Sequence, residues 1–265
     1  LRITGPALAL ARQHNLELDN LPRGVLITEK QVRALLGEVK SPAILLPEGS
    51  FAPDSIIIYG GGGHGKALID LLRKLGDYPI AGVVDDRLTP GDQVLDAPVL
   101  GGAAVLAELK TRGVRLAVNA VGGIGNIAVR IQVFEQLREA GFTCPALVHP
   151  RAFVEPSARL ADGVQVFPQA YVGSAARIGY GAIINTGAIV SHDCQVGDYA
   201  NLSPGAILAG EVTIGRAALV GMGVTINLQV RVGERARLGN SATVKRDVPD
   251  NGIVHAGTVW PPDPN

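Results

Sequence analysis

An aliphatic residue occupies every sixth position from Val148 to Val244 without exception. The series reads Val148, Val154, Leu160, Val166, Val172, Ile178, Ile184, Val190, Val196, Leu202, Leu208, Ile214, Val220, Ile226, Val232, Leu238 and Val244. A period of six fits neither the 3.6 of a helix nor the 2 of an ordinary strand. It is typical of a hexapeptide solenoid, in which each unit forms one short strand and one corner. We therefore predict that these residues point inward and that stacked coils bury one continuous apolar column.

Small residues support this interpretation. The residue four positions after the aliphatic one is small in most units, for example Ala182, Ala188 and Ala200. Cys194 occupies one of these positions, so we expect it to be a packing residue that faces the interior. An antiparallel sandwich would instead show alternation with period two and turns every ~8–12 residues.

A glycine-rich turn precedes the solenoid. The apolar strand Ser55–Tyr59 leads into Gly60–Lys66, and a helix is predicted over Ala67–Leu75. Backbone N–H groups and the helix dipole make such a turn an anion site. Gly60, Gly62 and Gly65 match the GxGxxG spacing of dinucleotide-binding turns, although this motif alone is weak and a tight turn without a ligand stays possible.

The strands after this turn are too few for a complete dinucleotide fold. The candidates are Ile80–Val84, which ends at Asp85, then Leu116–Val121, which ends at Gly122, and Thr143–Leu147. Since no second mononucleotide-binding half follows, we predict a half-Rossmann domain that binds one nucleotide at the carboxyl ends of its strands.

One hexad of the solenoid concentrates polar groups. His192 holds the third place of its hexad, near a corner, and is therefore expected to point outward beside Asp193. Glu211 follows Asp193 by one coil, and Asn185 precedes Ser203 by one coil. A histidine held by carboxylates is a candidate general base. Metal binding is less favoured, because the solenoid offers only His149 and His192, with His255 after it.

Composition excludes several classes of function. The 24 Lys and Arg residues balance 24 Asp and Glu residues, so neither nucleic acid nor an anionic membrane is expected as a partner. No apolar run approaches the ~20 residues of a transmembrane helix, and no signal peptide is recognisable. Cys144 and Cys194 match no metal spacing. We expect a cytoplasmic protein; its first residue, Leu1, is compatible with a fragment of a longer chain.

The combination of Gly62-Gly63-His64-Gly65-Lys66, Asp85-Asp86 and a hexapeptide solenoid with Asn185 and His192-Asp193 resembles the bacterial nucleotide-sugar acetyltransferases of the PglD/NeuD group. The resemblance covers about residues 55–248. It implies an α/β half-Rossmann domain followed by a left-handed parallel β-helix. It also implies a homotrimer that binds acetyl-CoA between adjacent solenoids and a nucleotide sugar on the half-Rossmann domain, with no metal.

The resemblance assigns roles by position. His192 matches the base, Asp193 its acidic partner and Asn185 a polar residue near the acceptor. The matches to the nucleotide-sugar contacts are Gly62, Gly63, His64, Asp85, Asp86 and Gly122, and those to the acetyl-CoA groove are Asn201, Ser203, Gly210, Met222 and Asn240. Asn201 stands where the family often has a second histidine that faces the acetyl carbonyl. Ala256–Pro261 replaces the family's closing Gly-Val-Pro-Ala-Lys.

Residues 1–40 form a separate small helical unit, with Thr28 as the N-cap of its second helix. Gly5-Pro6-Ala7, Leu10–His14, Leu16–Leu18 and Ile27–Val32 resemble the peripheral subunit-binding domain of 2-oxo-acid dehydrogenase acyltransferases, which implies a docked protein partner. A shortened loop, Pro22-Arg23-Gly24, departs from that family, and a plain helical appendage stays the alternative. We place a linker at 41–54, the nucleotide-sugar domain at 55–147, the β-helix at 148–248 and a tail at 249–265.

Three functions remain open at this point. The first is N-acetylation of a nucleotide-activated amino sugar by direct transfer from acetyl-CoA. The second is a sialic acid-type O-acetyltransferase. The third is a non-enzymatic trimeric scaffold that presents the N-terminal module.

Overall fold

A computed structural model describes residues 2–13, 16, 26–29, 31–32, 46, 49–125 and 127–262. The chain divides into two compact units, Leu1–Leu45 and Leu46–Asn265. The predicted apolar connection at Leu18 and Leu21, the loop at Pro22–Gly24 and most of the linker lie outside the described residues.

The described residues of the first unit include one complete helix, two short strands and the start of a second helix. Helix α1 (Gly5–Gln13) follows strand β1 (Arg2–Ile3), which pairs in parallel with β2 (Leu26–Ile27). Ala7, Leu10, Ala11, Ile27 and Val32 form its core. The side-chain Oε1 of Gln31 accepts from the Thr28 backbone N–H at 2.8 Å, the reciprocal half of a capping box, so a second helix starts at Thr28 as predicted.

The second unit begins with a five-stranded sheet in the order β5-β6-β4-β3-β7. Its strands are β3 (Ile56–Tyr59), β4 (Ile80–Val84), β5 (Gln93–Val94), β6 (Ala97–Gly101) and β7 (Leu116–Asn119). Helices α2 (Gly63–Leu75), α3 (Leu106–Thr111) and α4 (Ile127–Glu139) cover it. All pairings are parallel except the β5–β6 hairpin.

The α/β layer differs from the sequence expectation in four places. Thr143 forms only an isolated bridge to Leu116, and Leu147 already belongs to the solenoid, so Thr143–Leu147 is not a strand of this sheet. The β5–β6 hairpin and helix α4 were not anticipated. Phe51, in the predicted linker, donates its backbone N–H to Arg112 O and packs against the α/β core.

The solenoid has three parallel faces, each built from two-residue strands eighteen residues apart in the register Ile183↔Asn201↔Leu219. The covered face consists of β8 (Leu147–Val148), β11 (Gln165–Val166), β14 (Ile183–Ile184), β17 (Asn201–Leu202), β20 (Leu219–Val220), β23 (Arg237–Leu238) and β25 (Ile253–Val254). The apolar face consists of β9 (Phe153–Val154), β12 (Tyr171–Val172), β15 (Ile189–Val190), β18 (Ile207–Leu208), β21 (Thr225–Ile226), β24 (Thr243–Val244) and β26 (Val259–Trp260). The arginine face consists of β10 (Arg159–Leu160), β13 (Arg177–Ile178), β16 (Gln195–Val196), β19 (Thr213–Ile214) and β22 (Arg231–Val232).

The second residue of each strand points inward, as the period of six predicts. Most of the aliphatic series forms one buried cluster together with the small residues, including Cys194. The first residue of each strand points outward, so its surroundings differ from face to face.

The solenoid runs beyond residue 248, where the sequence analysis ended it. Val248 bridges to Val232, and the strands at Ile253–Val254 and Val259–Trp260 pair with β23 and β24. These last pairings join residues sixteen apart rather than eighteen. The final coil is thus two residues shorter, which breaks the period after Val244 and hid the coil from the sequence pattern.

The α/β layer packs on the covered face. The outward residues Gln165, Ile183 and Asn201 are only 1%, 1% and 3% exposed. Ile183 and Phe167 share an apolar cluster with strands β3 and β4 and helix α2. The sheet and the outer side of the covered face therefore share an apolar cluster, which is separate from the column inside the solenoid.

Candidate active site

His192 and Asp193 form a hydrogen-bonded pair at the corner between the apolar face and the arginine face. Nδ1 of His192 lies 2.8 Å from Oδ2 of Asp193, and each side chain is 57% exposed. Asp193 adopts φ 58°, a left-handed conformation that aspartate tolerates better than most residues. Because a carboxylate only accepts, Nδ1 carries the proton, which leaves the Nε2 lone pair free. This is the tautomer that a general base requires.

Gly210 makes room for this imidazole. A Cβ atom at Gly210 would lie 2.5 Å from both Cε1 and Nε2 of His192. The same hexad place holds Ser174 one coil before His192 and Leu228 one coil after Gly210, so the solenoid backbone does not itself demand glycine there. The glycine is explained by the histidine ring, and Gly210 thus belongs to the His192 corner.

The glycine-rich turn opens the first turn of helix α2. Its N-cap, Gly62, supplies no side-chain hydrogen bond, and a Cβ at Gly62 or Gly63 would meet no atom within 4 Å. Gly65 is different, because a Cβ there would lie 2.2 Å from Gly60 O. Space is therefore open beside the N-terminus of helix α2, where the first-turn N–H groups have no intrahelical acceptor, as an anion site requires.

Asp85 and Asp86 organise this turn from the next strand. Oδ2 of Asp85 accepts from the Gly61 N–H and Oδ1 from the Arg87 N–H, both at 2.8 Å. Oδ2 of Asp86 accepts from the Tyr59 hydroxyl at 2.9 Å and Oδ1 from the Ala103 N–H at 2.8 Å. Burial and then Asp86 raise the pKa of Tyr59, so its hydroxyl stays a donor. Asp85 therefore holds the start of the turn in place, and Asp86 holds Tyr59 and the backbone at Ala103.

His64 is tied to the solenoid. Its Nε2 lies 2.8 Å from Gln165 Oε1, and Gln165 Nε2 donates to Asn119 O at 2.8 Å. Arg130, fully buried, also donates to Asn119 O and to Gly181 O. Sequence reasoning missed Gln165, Asn119 and Arg130, since each is a single polar residue with no motif around it.

In one chain Asn201 is not open toward an acetyl carbonyl, the contact that the resemblance predicts for it. It is buried on the covered face, where a Cβ at Gly123 would lie 2.4 Å from its Oδ1, and its Nδ2 donates to Ser203 Oγ at 3.1 Å. The loop after β7 covers its amide. The structure therefore gives Asn201 no open path to an acetyl carbonyl within one chain, and we assign it a supporting contact to that loop.

The other predicted groove residues lie along the corner between the covered face and the apolar face. Asn185 is partly exposed, and its Oδ1 accepts from the Thr186 N–H at 2.8 Å. Asn240 Oδ1 accepts from the N–H of Met222, whose residue is 47% exposed. Ser203 and Asn240 line a groove of about 280 Å³ beside Ile124 and Ile253.

One chain does not bring the two groups of predicted residues together. Gly122 lies beside His64, whose ring contacts Phe167 at the same corner as Asn185. His192 follows β15 and precedes β16, so it lies at the corner opposite the covered face. The glycine-rich turn and the His192 pair thus lie on different sides of the solenoid.

The cysteines are poor nucleophiles. Burial raises the pKa of the Cys194 thiol, which donates to Ala209 O at 3.1 Å, and burial raises the pKa of Cys144 to about 12. Among the described residues, no group of three or more His, Cys, Asp or Glu side chains could hold a metal ion. In that same part of the chain, no helix has the length and apolarity to cross a bilayer.

Known proteins share this architecture. Residues 55–137 match the family of the PglD N-terminal domain. PerB from Caulobacter crescentus, solved in complex with CoA and GDP-perosamine, is 36% identical, covers 78% of this chain and 96% of its own, and superposes with a TM-score of 0.73. The acetyltransferase domain of PglB from Neisseria gonorrhoeae is 33% identical over 76% of this chain and 96% of its own, with a TM-score of 0.70.

The match to a curated relative covers a smaller part of both proteins. UDP-N-acetylbacillosamine N-acetyltransferase from Bacillus subtilis is 34% identical over 114 residues, which are 42% of this chain and 50% of that protein. The match thus spans half the length of that relative, whereas the PerB match spans nearly the whole protein. On the similarity to PerB and PglB over nearly their full lengths, this chain belongs to the PglD/NeuD-type nucleotide-sugar acetyltransferases.

Proposed function

We propose that the protein transfers the acetyl group of acetyl-CoA to the amino group of a nucleotide-linked amino sugar, with His192 as the general base. The observation that carries this proposal is the His192–Asp193 pair, with Nδ1 held at 2.8 Å and Nε2 beside the vacant side-chain position of Gly210. The relatives are named for this reaction class on UDP- and GDP-linked sugars.

The reaction needs no covalent enzyme intermediate. The amine attacks the thioester carbonyl, and Nε2 of His192 accepts a proton from the nitrogen as the C–N bond forms. The C–S bond then breaks, and the proton passes to the departing CoA thiolate. We assign the oxyanion contact to a backbone N–H group at this corner, because Asn201 is covered.

The two substrates meet between copies of the chain. The glycine-rich turn and His192 lie on different sides of one solenoid, so a complete site needs the turn of one copy and the histidine of another. The apolar face offers the contact surface: its outward residues are Phe153, Tyr171, Ile189, Ile207, Thr225, Thr243 and Val259, none of which is charged. The arginine face presents Arg159, Arg177 and Arg231 instead. We propose the homotrimer that the resemblance implies.

A substrate panel tests the reaction. UDP-, GDP- and dTDP-linked 4-amino sugars, with sialic acid as a hydroxyl acceptor, are incubated with acetyl-CoA, and free CoA thiol is measured. We expect turnover with one class of amino sugar. Turnover of sialic acid alone would favour O-acetylation, and no turnover with any acceptor would contradict an enzymatic role.

Complementation between a variant that lacks the base and a variant that binds the sugar weakly tests the shared site, with the nucleotide sugar kept well below its KM. His192→Ala and Gly63→Val are co-expressed with different affinity tags, and mixed oligomers are purified. If the turn and the base come from different copies, one of the three sites in each mixed trimer regains both parts. A site contained in one chain would leave the mixed oligomers no more active than Gly63→Val alone.

A surface variant tests the assembly. Ile207, 41% exposed on the apolar face, is changed to Arg, and Thr213 on the arginine face is changed to Arg as the matched control. A buried unpaired charge strongly disfavours an apolar contact. Light scattering should report a trimer for the control and smaller species for Ile207→Arg; trimers in both would place the interface elsewhere.

A further inference from the structure

His64 is the one side chain of the glycine-rich turn that is anchored to the solenoid. Its ring packs against Phe167 with centroids 5.4 Å apart, and Gly122 lies beside its Cβ. Its Nε2 lies 2.8 Å from Gln165 Oε1. Gln165 belongs to β11 on the covered face, 101 residues away in sequence. The solenoid thus reaches into the nucleotide-binding turn at this point.

The orientation of the Gln165 amide is fixed by its other contact. Gln165 Nε2 donates to the backbone O of Asn119 at 2.8 Å. A carbonyl oxygen only accepts, so the amide nitrogen must face Asn119 and the amide oxygen must face His64. Because that oxygen also only accepts, Nε2 of His64 carries a proton.

The carbonyl that imposes this orientation is itself held rigidly. Asn119 Nδ2 donates to Arg130 O at 2.8 Å, and Asn119 Oδ1 accepts from the Val121 N–H at 3.0 Å. Asn119 and Arg130 are fully buried, and Gln165 is 1% exposed. Rotating the Gln165 amide would place two oxygens face to face in a buried site, which is costly.

The second nitrogen of His64 is left as an acceptor. Burial, followed by the charge of Arg130, lowers the pKa of His64 to about 4, so the ring is neutral. A neutral imidazole with a proton on Nε2 has a lone pair on Nδ1. Among the described residues, Nδ1 of His64 has no hydrogen-bond partner. It is not buried either, because Arg130 Nε is the one described side-chain nitrogen or oxygen that is both buried and without a partner. Nδ1 is therefore open to solvent or to a ligand.

We propose that Gln165 is a positioning residue that fixes the Nε2–H tautomer of His64, so that Nδ1 accepts a hydrogen bond from an O–H or N–H group of the nucleotide sugar. This inference rests on the proposed function for the identity of the ligand. Two groups of the turn would then bind different parts of the ligand. The first-turn N–H groups of α2 suit phosphate oxygens, whereas a neutral acceptor at His64 repels them. His64 then selects for a donor group on the sugar or the base.

The tautomer can be observed without substrate. Long-range ¹H–¹⁵N correlation spectra of histidine-labelled protein distinguish a protonated from an unprotonated ring nitrogen, and His64→Asn assigns the signal. In the wild type at neutral pH we expect a proton on Nε2 and none on Nδ1. Gln165→Met removes the acceptor at similar volume and should yield a mixture of tautomers.

Steady-state kinetics of the same variants test whether the tautomer affects binding of the nucleotide sugar. We expect Gln165→Met to raise KM for the nucleotide sugar by about three- to tenfold, the value of one hydrogen bond, with KM for acetyl-CoA unchanged. Gln195→Met is the matched control, since Gln195 holds the same strand position on the exposed arginine face. Thermal unfolding verifies that all variants fold.

Each result decides the question. An Nδ1–H tautomer in the wild type, or an unaltered tautomer in Gln165→Met, would overturn the inference, even if KM rises through a packing defect. If the tautomer shifts in Gln165→Met but no amino sugar is turned over by the wild type, the proposed function fails and the positioning role of Gln165 stands.

Discussion

The two halves of the proposed site are built in opposite ways. The His192 half is local: its hydrogen-bonded partner is the next residue, and both side chains are more than half exposed at a corner. The half around the glycine-rich turn depends on contacts between distant segments, such as Gly61 with Asp85, His64 with Gln165, and Asn119 with Gln165. The solenoid repeats a fixed corner geometry, whereas the α/β layer must bring separate strands and loops together.

This difference predicts how each half responds to substitution. An exposed side chain at a repeating corner can be removed with little effect on folding, so its loss should change catalysis alone. A buried network couples binding to stability, because removing one partner leaves others unsatisfied. Variants at the His192 corner should therefore change kcat, and variants near the turn should change KM for the sugar or the free energy of unfolding.

The largest expected effect is that of His192→Ala. Removing a general base costs about 10²–10⁴-fold in rate, and the 57% exposed side chain contributes little to packing. We expect kcat to fall by that factor at neutral pH with an unaltered melting temperature. The remaining activity should rise with pH toward the pKa of the sugar ammonium, where the free amine needs no base. A wild-type kcat in this variant would remove His192 from the mechanism.

Gly210→Ala should come next. The new Cβ would lie 2.5 Å from Cε1 and Nε2 of His192, so the ring must turn aside. A displacement of about 1 Å at a catalytic group can cost about 10²-fold in rate. We expect kcat to fall with little change in either KM, as measured by steady-state kinetics. Gly210→Ala combined with His192→Ala is the control: if the glycine acts only through the imidazole, the double variant is no slower than His192→Ala.

Stability should depend on the protonation of His64. Its pKa is 6.5 in the unfolded chain and about 4 when folded, so the unfolded state binds more protons between these values. The stability that the folded chain has with a neutral His64 is complete above pH 6.5 and is lost as the pH falls toward 4. Between pH 7 and pH 5 the wild type should lose about 2 kcal/mol of unfolding free energy, about thirtyfold in the folding constant, through this group.

Urea unfolding at the two pH values measures this loss. His64→Gln has no titrating ring beside Gln165 and Arg130, so its decrease in stability should be smaller than that of the wild type by about 2 kcal/mol. The comparison cancels other titrating groups, including His149, whose pKa is also lowered. Equal decreases in both proteins would contradict a His64 ring that stays neutral in the folded chain.

The sequence predicted the solenoid half of the molecule in detail, since one side-chain phase determines which residues point in and which point out. Cys194 in the core and His192 at an exposed corner both follow from that phase. The six-residue period breaks after Val244, because the last coil is two residues shorter than the others. The sequence pattern therefore does not reveal that coil.

The sequence was less informative about the α/β half. The turn and its first strand are local signals and were recognised. Asn201, however, was assigned by its distance from His192, and its burial depends on a loop near Gly123 that no local pattern places there. Gln165 was missed for the same reason, because its partners His64 and Asn119 are 101 and 46 residues away.

Gly63→Val tests the turn separately from the corner. A Cβ at Gly63 meets no protein atom within 4 Å, so the branched side chain should be tolerated by the fold but should obstruct a phosphate at the helix N-terminus. We expect about a tenfold rise in KM for the nucleotide sugar, equivalent to about 1.4 kcal/mol, with KM for acetyl-CoA little changed. Gly65→Val should instead unfold the turn, since its Cβ would meet Gly60 O. Unchanged KM values in Gly63→Val would mean that the turn binds no ligand.

The smallest expected effect is that of Asp193→Asn. An asparagine amide can donate to Nδ1, which would move the imidazole proton to Nε2 and block the base. In a buried triad this exchange is severe, but both side chains here are 57% exposed and water can replace the carboxylate. We therefore expect kcat to fall by no more than about fivefold, the range of an exposed ion pair. Asp198→Asn, at a corner on the other side of the arginine face, is the control for general charge loss. A loss as large as that of His192→Ala would mean that water is excluded from this corner in the assembled enzyme, and the His192 half would then be as buried as the turn.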